Sequence, residues 1–428
     1  MKPARPGPQA PAAPRPAAEP APDARGRWSP QVFSPFPHIA PRVLFARIAA
    51  RSPLFDATSA AGGAAVLVGS SAGDDPAAVA VRARGELFER MSNVLTGRRH
   101  EKDPPVVAAY RELRRRGRPA LDPAALTRSP GMPGETLEAL RSARQLWLEG
   151  RSLLTGAPLL VPAGAACLHH RPPPGCVATT RCGSTGVAAH RTFAAAAGHA
   201  AWEILERDLI RRSWYGPDSP APTALSTPDL PAPLTDLLTA GRLRCTALDL
   251  PAPAGARCIV ACLHRTDGTG QAFGARCGPA RDPAALVERA AYEATMIHWS
   301  VGSAVARRTW DSWAGGSPPR SALQHALWAY HRQDSLRIWL DGAAPRSRSG
   351  VAPPGPPAEP DGAVGLLSGH SGEDVIAVET TAPFAREAGQ TVVRLIAPGT
   401  FPLPSGPGDP HHAADRTVRH RGEPHPFG

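Results

Sequence analysis

Three long segments of the chain place apolar residues at helical spacing and are predicted as helices. They cover residues 75–95, 192–214 and 281–299. In the first segment the apolar stripe consists of Leu87, Met91, Val94 and Leu95. Asp75 and Asp282 each stand directly before a proline, which is typical of an N-cap followed by proline at the first helical position. The pattern therefore predicts where two of the three helices begin.

Shorter apolar runs rich in β-branched residues are predicted as strands. They lie at residues 64–68, 244–250, 256–265, 374–381 and 391–397. Strands and long helices alternate irregularly, and this order indicates an α+β fold with mixed or antiparallel sheets packed against the helices. The similarity of the helices leaves open a diverged internal duplication.

Proline-rich stretches divide the chain into segments. Residues 1–28 are predicted as a disordered tail, because a Pro/Ala-rich sequence cannot bury enough apolar surface to fold. We expect one domain over residues 29–428, interrupted by loops at 216–233 and 342–362. This domain is expected to end in a proline-rich tail that begins at about residue 400.

The chain carries a formal net charge of +11, which permits an acidic partner but does not require one. Only Lys2 and Lys102 are lysines, so nearly all of the positive charge is arginine. The densest basic cluster, residues 111–118, has no aromatic residue within it. Because single-stranded nucleic acids bind through stacked aromatic rings as well as through cations, we expect no nucleic-acid partner.

The cysteines and the apolar runs bear on the compartment. Seven cysteines, an odd number without regular spacing, predict reduced thiols in a cytoplasmic protein. The first residues contain no apolar segment typical of a signal peptide. The chain has no run of about 18 apolar residues, so no transmembrane helix is expected. We therefore predict a cytoplasmic protein that does not bind membranes.

Two of the predicted helices carry the pattern E-x-x-E-R, in "GELFERMSN" and "WEILERDLI". Residues at positions i, i+3 and i+4 of a helix share one face, so the two glutamates and the arginine of each copy project together. The two sets are Glu86, Glu89 and Arg90, and Glu203, Glu206 and Arg207. If the two helices pack side by side, four carboxylates and two guanidinium groups converge.

Such a cluster has a functional and a structural interpretation. Carboxylates and phosphate oxygens are the ligands that Mg²⁺ prefers, and arginine matches a phosphate with two parallel hydrogen bonds. The cluster would therefore suit a nucleoside triphosphate bound with Mg²⁺. A single copy is more often an exposed helix face stabilised by weak Glu–Arg pairs. Two copies on amphipathic helices favour the functional interpretation.

These residues resemble motifs of the YcaO superfamily, the ATP-dependent enzymes that modify peptide backbones and include azoline-forming cyclodehydratases. The resemblance runs in order from about residue 60 to residue 428 and implies a YcaO-like fold. The similar segments are "VRARGELFERMSN", "LWLEGRSLLTGAPLLVPAG", "GSTGVAAH", "WEILERDLIRRSWY", "RDPAALVERAAYEA", "VETTAPFAREAGQTVVRLIAPG" and "EPHPFG". The last is similar to the proline-rich ending of the azoline-forming branch.

The resemblance implies a role for individual residues. The residues expected to hold Mg²⁺ are Glu86, Glu89, Glu203 and Glu206. The residues expected to contact ATP are Ser184, Arg90, Arg207 and Arg394. The C-terminal tail, with Pro424, Pro426 and Gly428, is expected to reach into the site and position a proton acceptor.

The resemblance also implies a reaction and partners. In this family a Cys, Ser or Thr side chain of a ribosomally synthesised precursor peptide attacks the preceding carbonyl, and ATP phosphorylates the resulting oxyanion. Elimination then closes a thiazoline or oxazoline ring. Because the chain shows no separate peptide-recognition domain, the resemblance implies a partner protein that captures the leader peptide. A flavin-dependent dehydrogenase is a further implied partner.

The chain departs from the family pattern at several positions. The loop "GSSAGDD" lacks the lysine expected before the first helix. Ala195 and His199 stand where a glutamate and a glutamine are expected, and Met296 replaces a glutamine. Thr185 replaces an asparagine, and Gly428 replaces the final proline. Either nucleotide binding is rearranged, with His199 substituting, or the chain is a non-catalytic scaffold that docks peptide; an enzyme that makes thioamides or amidines is a third alternative.

Other motifs have simpler explanations. Ser71 lies in a G-x-S-x-G pattern, but Asp75 and Pro76 delay the helix that a hydrolase nucleophile elbow requires. The segment "CLHHRPPPGC" has zinc-type residues at a spacing that matches no common finger. The glycine-rich "GTGQAFG" leads into a strand rather than the helix of a dinucleotide site. Cys182, His298 and His325 are predicted as ordinary core or surface residues.

Overall fold

A computed structural model of the chain describes residues 28–56, 65–126, 133–216, 221–225, 229–313, 317–341, 362–404 and 423–427. The helices are α1 Pro76–Lys102, α2 Tyr110–Arg115, α3 Gly134–Ser142, α4 Ala163–Ala166, α5 Phe193–Tyr215, α6 Ala232–Gly241, α7 Pro283–Val301, α8 Ala304–Trp313, α9 Ala322–Arg332, α10 Ser335–Leu340, α11 Gly362–Ser371 and α12 Pro383–Glu387. Short 3₁₀ turns occupy Pro53–Phe55 and Pro123–Leu126.

The strands form three sheets. They are β1 Gln31–Phe33, β2 Leu44–Ser52, β3 Ala65–Gly73, β4 Val106–Ala109, β5 Arg144–Ser152, β6 Pro158–Pro162, β7 Val187–His190, β8 Thr223–Ala224, β9 Leu243–Leu250, β10 Ala256–Arg265, β11 Ala272–Pro279, β12 Ile376–Glu379 and β13 Thr391–Ile396. Their orders are β1-β2-β3, β8-β9-β10-β11 and β4-β5-β12-β13-β7, with β6 paired to β5. All pairings between these described strands are antiparallel. The predicted α+β class is confirmed.

The three predicted helices form where the sequence places them. Asp75 accepts hydrogen bonds from the amides of Ala77 and Ala78, at 2.8 and 3.1 Å, and so caps α1 ahead of its first-turn proline. Asp282 caps α7 in the same manner through Ala285, at 3.3 Å. Local capping chemistry thus sets the start of both helices, as predicted.

The three long helices alternate with the edge strands of the three sheets. Helix α1 packs against β3 and β7, α5 packs against β7 and β11, and α7 packs against β11 and β3. These contacts lead from α1 to α5, from α5 to α7 and from α7 back to α1. The three helices therefore form a ring with one edge strand between each pair. The largest core surrounds α5, where Trp214 and Leu205 are fully buried.

In each of two strand–helix units of this ring, the strand approaches its helix unusually closely. A Cβ added at Gly69 of β3 would lie 2.0 Å from the Ala83 carbonyl oxygen of α1. A Cβ added at Gly274 of β11 would lie 2.4 Å from the Ala290 carbonyl oxygen of α7. Because only glycine lets backbone approach backbone this closely, each helix is seated directly on its strand. This recurrence fits the internal duplication that the sequence left open.

Two predicted boundaries differ in detail. The segment 216–233, expected to be a loop, contains β8 and the start of α6. Trp28, the last residue of the predicted tail, packs its ring against those of Phe88 and Phe384. Residues 1–27 and the predicted loop 342–361 lie outside the described residues. Within the described part of the chain, no helix combines the length and apolar character needed to cross a bilayer.

Candidate nucleotide and metal site

One glutamate on each of α1, α5 and α7 is fixed by a backbone amide that lies in, or directly before, the edge strand preceding the helix. The Ser70 amide donates to Glu86 at 2.5 Å, and the Gly186 amide donates to Glu203 at 2.9 Å. The Ala275 amide donates to a glutamate of α7, Glu293, at 3.3 Å. Edge strands present unpaired N–H groups, and here the carboxylates satisfy them.

A second glutamate on two of the helices reaches the next strand around the ring. Glu89 of α1 accepts from the Ala189 amide of β7 at 3.0 Å. Glu206 of α5 accepts from the Cys277 amide of β11 at 2.9 Å. The two E-x-x-E segments therefore connect neighbouring units, and the structure brings all four predicted carboxylates into one ring.

Glu293 is a ring member that the sequence did not single out. It lies in "YEATMI", which keeps the first glutamate of the E-x-x-E-R pattern and has Met296 and Ile297 in place of the second glutamate and the arginine. Its charge raises the pKa of both Glu86 and Glu206, although burial is the larger cause for each. The sequence signal was weak because only one of the three pattern residues remains.

Burial in the ring disfavours negative charge on the carboxyl groups. It raises the pKa of Glu206 to about 7, against the opposing effect of the Arg207 and Arg276 guanidinium groups. It also raises the pKa of Glu89 well above its ordinary value, with the neighbouring Glu203 adding to the rise. Such a cluster is stabilised when a cation binds and compensates the lost hydration.

The three predicted arginines lie around the carboxylates. Arg90 donates to Glu86 at 2.6 Å and to the Val68 carbonyl at 2.5 Å. Arg207 lies 3.6 Å from Glu206. Arg394 donates through one guanidinium nitrogen to the Gly183 carbonyl at 2.7 Å. Its Nε is buried and has no hydrogen-bond partner among the described residues, as expected for a group awaiting an anionic ligand.

A layer of basic groups lies one helical turn before the glutamates. The sequence analysis did not predict it as a site. Arg82 precedes Glu86 on α1, Arg289 precedes Glu293 on α7, and Arg276 lies on β11. Burial and then the positive charges of Arg289 and Arg276 lower the pKa of Arg82. His199 lies in the same layer, four residues before Glu203. Burial, Arg276, His190 and Arg289 lower its pKa to about 4, so it is neutral at pH 7.

A family model described as YcaO cyclodehydratase, ATP- and Mg²⁺-binding, matches residues 70–400. The chain belongs to the YcaO family. This confirms the resemblance read from the two E-x-x-E-R helices and the order of the other segments. No curated protein matches the chain.

Solved YcaO-type structures share the fold. A heterocyclase in complex with substrate and cofactor is 20% identical with a TM-score of 0.60, covering 80% of this chain and 46% of its own. YcaO from Methanopyrus kandleri, bound with AMPPCP and Mg²⁺, is 19% identical with a TM-score of 0.53, covering 86% and 85%. The E. coli microcin synthetase McbBCD complex is 12% identical with a TM-score of 0.60, covering 91% and 97%. This YcaO chain spans about half the length of the first of these.

The donors in the ring fit the ATP and Mg²⁺ that characterise the YcaO family. Among the described residues, no three His, Cys, Asp or Glu side chains converge as a preformed metal cage. Mg²⁺ does not need one, because it commonly takes one or two carboxylates together with phosphate oxygens and water. Within the described residues, Glu89, Glu203 and Glu293 each use one oxygen on an amide and leave the other without a hydrogen bond.

Ser184 and the tail lie at different distances from the ring. Ser184 is exposed in the loop that ends at Gly186, the residue whose amide binds Glu203. Pro424 and Pro426 lie at the carboxyl end of α5, because Trp214 donates to the Glu423 carbonyl at 2.9 Å. That point is about 12 Å along the helix from Glu206. Gly428 lies outside the described residues.

The other motifs contribute no site among the described residues. Ser71 is 8% exposed and lies within β3, and its hydroxyl donates to the Val79 carbonyl at 2.6 Å, so it does not form a nucleophile elbow. His169 and His170 contact the Phe55 carbonyl and Glu101, at 2.6 and 2.9 Å, rather than a shared centre. Burial raises the pKa of Cys182, which makes it a poor nucleophile.

The raised pKa of Glu206 predicts a pH-dependent stability difference between the wild-type protein and Glu206→Gln. Between the ordinary carboxyl value of 4.5 and about 7, the folded state binds the proton that the unfolded state has lost, so stability falls as pH rises through this window. Without nucleotide or Mg²⁺, the two proteins should melt alike at or below about pH 4. At pH 8 the variant should be more stable by roughly 1–3 kcal/mol. Equal melting temperatures at pH 8 by calorimetry would contradict the assignment.

Proposed function

We propose that the chain is an ATP- and Mg²⁺-dependent cyclodehydratase that forms thiazoline or oxazoline rings in a ribosomally synthesised precursor peptide. The ring of five amide-fixed glutamates, with arginines on both sides, is the observation that carries the proposal. Its negative layer suits a cation, and its positive layer suits phosphate groups. Membership of the YcaO family supports the same conclusion.

In this proposal the chain's residues act on charge and position. Glu86, Glu89, Glu203 and Glu206, with Glu293, would hold Mg²⁺, which supplies neutralisation of the triphosphate charge. Arg90, Arg207 and Arg394 would bind phosphate oxygens, and Arg82, Arg276 and Arg289 would extend that contact along the chain of phosphates. Because these groups are already fixed by strands and helices, they need little rearrangement as the negative charge shifts in phosphoryl transfer.

The proposed reaction converts the amide oxygen into a leaving group. The thiol or hydroxyl of the substrate attacks the preceding carbonyl carbon and loses its proton. The resulting oxyanion takes the terminal phosphoryl group of ATP and releases ADP. Loss of phosphate and of the amide N–H proton then forms the C=N bond of the azoline. Phosphorylation is needed because an amide oxygen leaves poorly by itself.

The proposal includes partner proteins, among them a leader-peptide-binding protein that would supply recognition of the precursor. The chain spans about half the length of a heterocyclase solved with substrate and cofactor. The microcin synthetase complex has also been solved with pro-MccB17 bound, which supports a precursor peptide and an assembly of several proteins. A flavin-dependent dehydrogenase acting on the azoline remains part of the proposal. Ala195 and the absence of a lysine from the loop "GSSAGDD" favour a second candidate, a non-catalytic scaffold that docks the peptide.

The function is tested with ATP, Mg²⁺, the leader-binding partner and a precursor peptide carrying ¹⁸O at the carbonyl before a cysteine or serine. We expect loss of one water per ring and transfer of ¹⁸O into phosphate, both abolished in Glu206→Gln and retained in Glu135→Gln, an exposed control on α3. An unchanged peptide mass with all partners present would refute the proposal. Tight Mg²⁺-dependent ATP binding that is lost in Glu206→Gln would count against the scaffold.

A further inference from the structure

The described C-terminal residues 423–427 lie in the core rather than on the surface. The His425 amide donates to the Tyr215 hydroxyl at 3.1 Å. The Phe427 ring lies 6.0 Å from that of Phe273 and 5.9 Å from that of Trp339. His425 and Phe427 are only 4% and 3% exposed. The segment is therefore anchored at the carboxyl end of α5 by contacts that involve specific side chains.

The hydrogen bonds of His425 define the protonation state of its ring. Nε2 lies 2.9 Å from the Pro404 carbonyl oxygen, which can only accept, so Nε2 carries the hydrogen. Nδ1 lies 3.3 Å from the Phe427 amide, which can only donate, so Nδ1 must accept. A ring nitrogen accepts only when it is deprotonated. The anchored segment thus requires a neutral His425.

A second imidazole is stacked on the first. The ring of His325 on α9 lies 3.8 Å from that of His425, with 2° between the planes. His325 Nδ1 donates to the His425 carbonyl at 2.9 Å. Two parallel rings at this separation in the core repel each other strongly when both are charged. The contact therefore adds a second reason for neutrality.

Within the described part of the chain, titratable and charged groups close to the pair are Tyr215 and Arg211 of α5 and Glu423 of the segment itself. Burial raises the pKa of Tyr215 to about 12, so its phenol stays neutral, while the positive charge of Arg211 acts in the opposite direction. Glu423 is half-buried at the start of the segment. Arg211 adds positive charge close to Tyr215 and so disfavours a further cation beside it.

We propose that His425 is a positioning residue whose neutral form, stacked on His325, anchors the C-terminal segment against α5, and that protonation of the pair in mild acid releases the segment. A free histidine ring titrates near pH 6.5, and the contacts of the anchored segment disfavour its cation, so release is expected as the pH falls below that value. A cation on His425 loses the Phe427 hydrogen bond and repels His325. Anchoring does not depend on the proposed function; its effect on turnover does.

Hydrogen–deuterium exchange of the full-length protein tests the anchoring without any assay of activity. After correction for the intrinsic effect of pH, exchange of a peptide covering residues 423–427 should be at least tenfold faster at pH 5.5 than at pH 7.5. His425→Gln keeps an N–H donor but cannot titrate, so its exchange should not change with pH. His331→Gln, at an exposed position on α9, the helix that carries His325, should behave as the wild type does. Equal protection at both pH values in the wild type, or the same pH response in His425→Gln, overturns the proposal.

Turnover gives a second readout that separates this effect from titration of the glutamate ring. At saturating ATP and Mg²⁺ the bound cation would keep Glu206 deprotonated, so its protonation raises KM for ATP, whereas release of the tail lowers kcat. The fall in kcat from pH 7.5 to 5.5 should be present in the wild type and His331→Gln and absent in His425→Gln. If no variant turns over but exchange follows the expected pattern, the anchoring stands and only the proposed function fails.

Discussion

Glu206→Gln is expected to weaken Mg²⁺-dependent nucleotide binding on the order of 100-fold and to lower turnover by a similar or larger factor. Glu206 is 2% exposed and connects α5 to β11 through the Cys277 amide, while its other oxygen faces Arg207. Glutamine keeps the size and the hydrogen bond to the amide but removes the negative charge. The loss should therefore be functional rather than structural. Titration calorimetry with a non-hydrolysable ATP analogue measures it at several Mg²⁺ concentrations.

Glu135→Gln is the matched control, since it makes the same chemical change on the exposed surface of α3. It should leave nucleotide affinity unchanged. The same Glu206→Gln protein should be more stable without ligands at pH 8, because a desolvated charge has been removed. Retention of wild-type affinity in Glu206→Gln would show that the ring does not bind the metal-bound nucleotide. Loss of affinity together with loss of folding would leave Glu206 a structural residue.

Gly69→Ala is expected to destabilise the protein by about 3 kcal/mol or more and to reduce nucleotide binding with it. The added methyl group would lie 2.0 Å from the Ala83 carbonyl oxygen and 2.7 Å from the Leu87 amide nitrogen. Both contacts are with backbone, which cannot move aside as a flexible side chain does. Helix α1 must shift away from β3, and the Ser70–Glu86 contact moves with it. Chemical denaturation measures the change in the free energy of unfolding.

Gly85→Ala provides the control on the same helix. A Cβ at Gly85 meets no atom within 4 Å, and alanine favours a helix over glycine by roughly 1 kcal/mol. This variant should be at least as stable as the wild type and should bind nucleotide normally. Equal stability of Gly69→Ala and Gly85→Ala would contradict the close strand–helix packing. Gly274→Ala should repeat the Gly69 result on α7, because its added methyl group would meet the Ala290 carbonyl oxygen at 2.4 Å.

A comparison of Glu206→Gln with Gly69→Ala separates the charge of the ring from the strand–helix packing that holds the ring in place. Glu206→Gln changes the charge of the site and leaves the framework intact, whereas Gly69→Ala changes the framework and leaves every site residue present. If the ring is the nucleotide site, affinity should be lost in both variants, but stability should be lost only in Gly69→Ala. The two measurements together therefore test whether the strand–helix ring exists and whether it binds the nucleotide.

What the sequence determined by itself was local. The N-caps Asp75 and Asp282 and the helical faces of the two E-x-x-E-R copies follow from spacing within about 20 residues, and the order of the motifs along the chain indicates the family. Helical periodicity dictates that Glu203 and Glu206 share a face, wherever the helix lies in the fold. For this reason the sequence could predict the four carboxylates as two pairs, each on one helical face.

What the tertiary structure decided is how separate segments meet. Glu293, the basic layer of Arg82, Arg276 and Arg289, and the stacked His325 and His425 all depend on partners far away in the chain. No periodicity relates them, because their proximity results from three strand–helix units closing into a ring and from burial of the C-terminal segment. The sequence could therefore name the carboxylates of two helices, but only long-range packing shows that a third helix completes their ring.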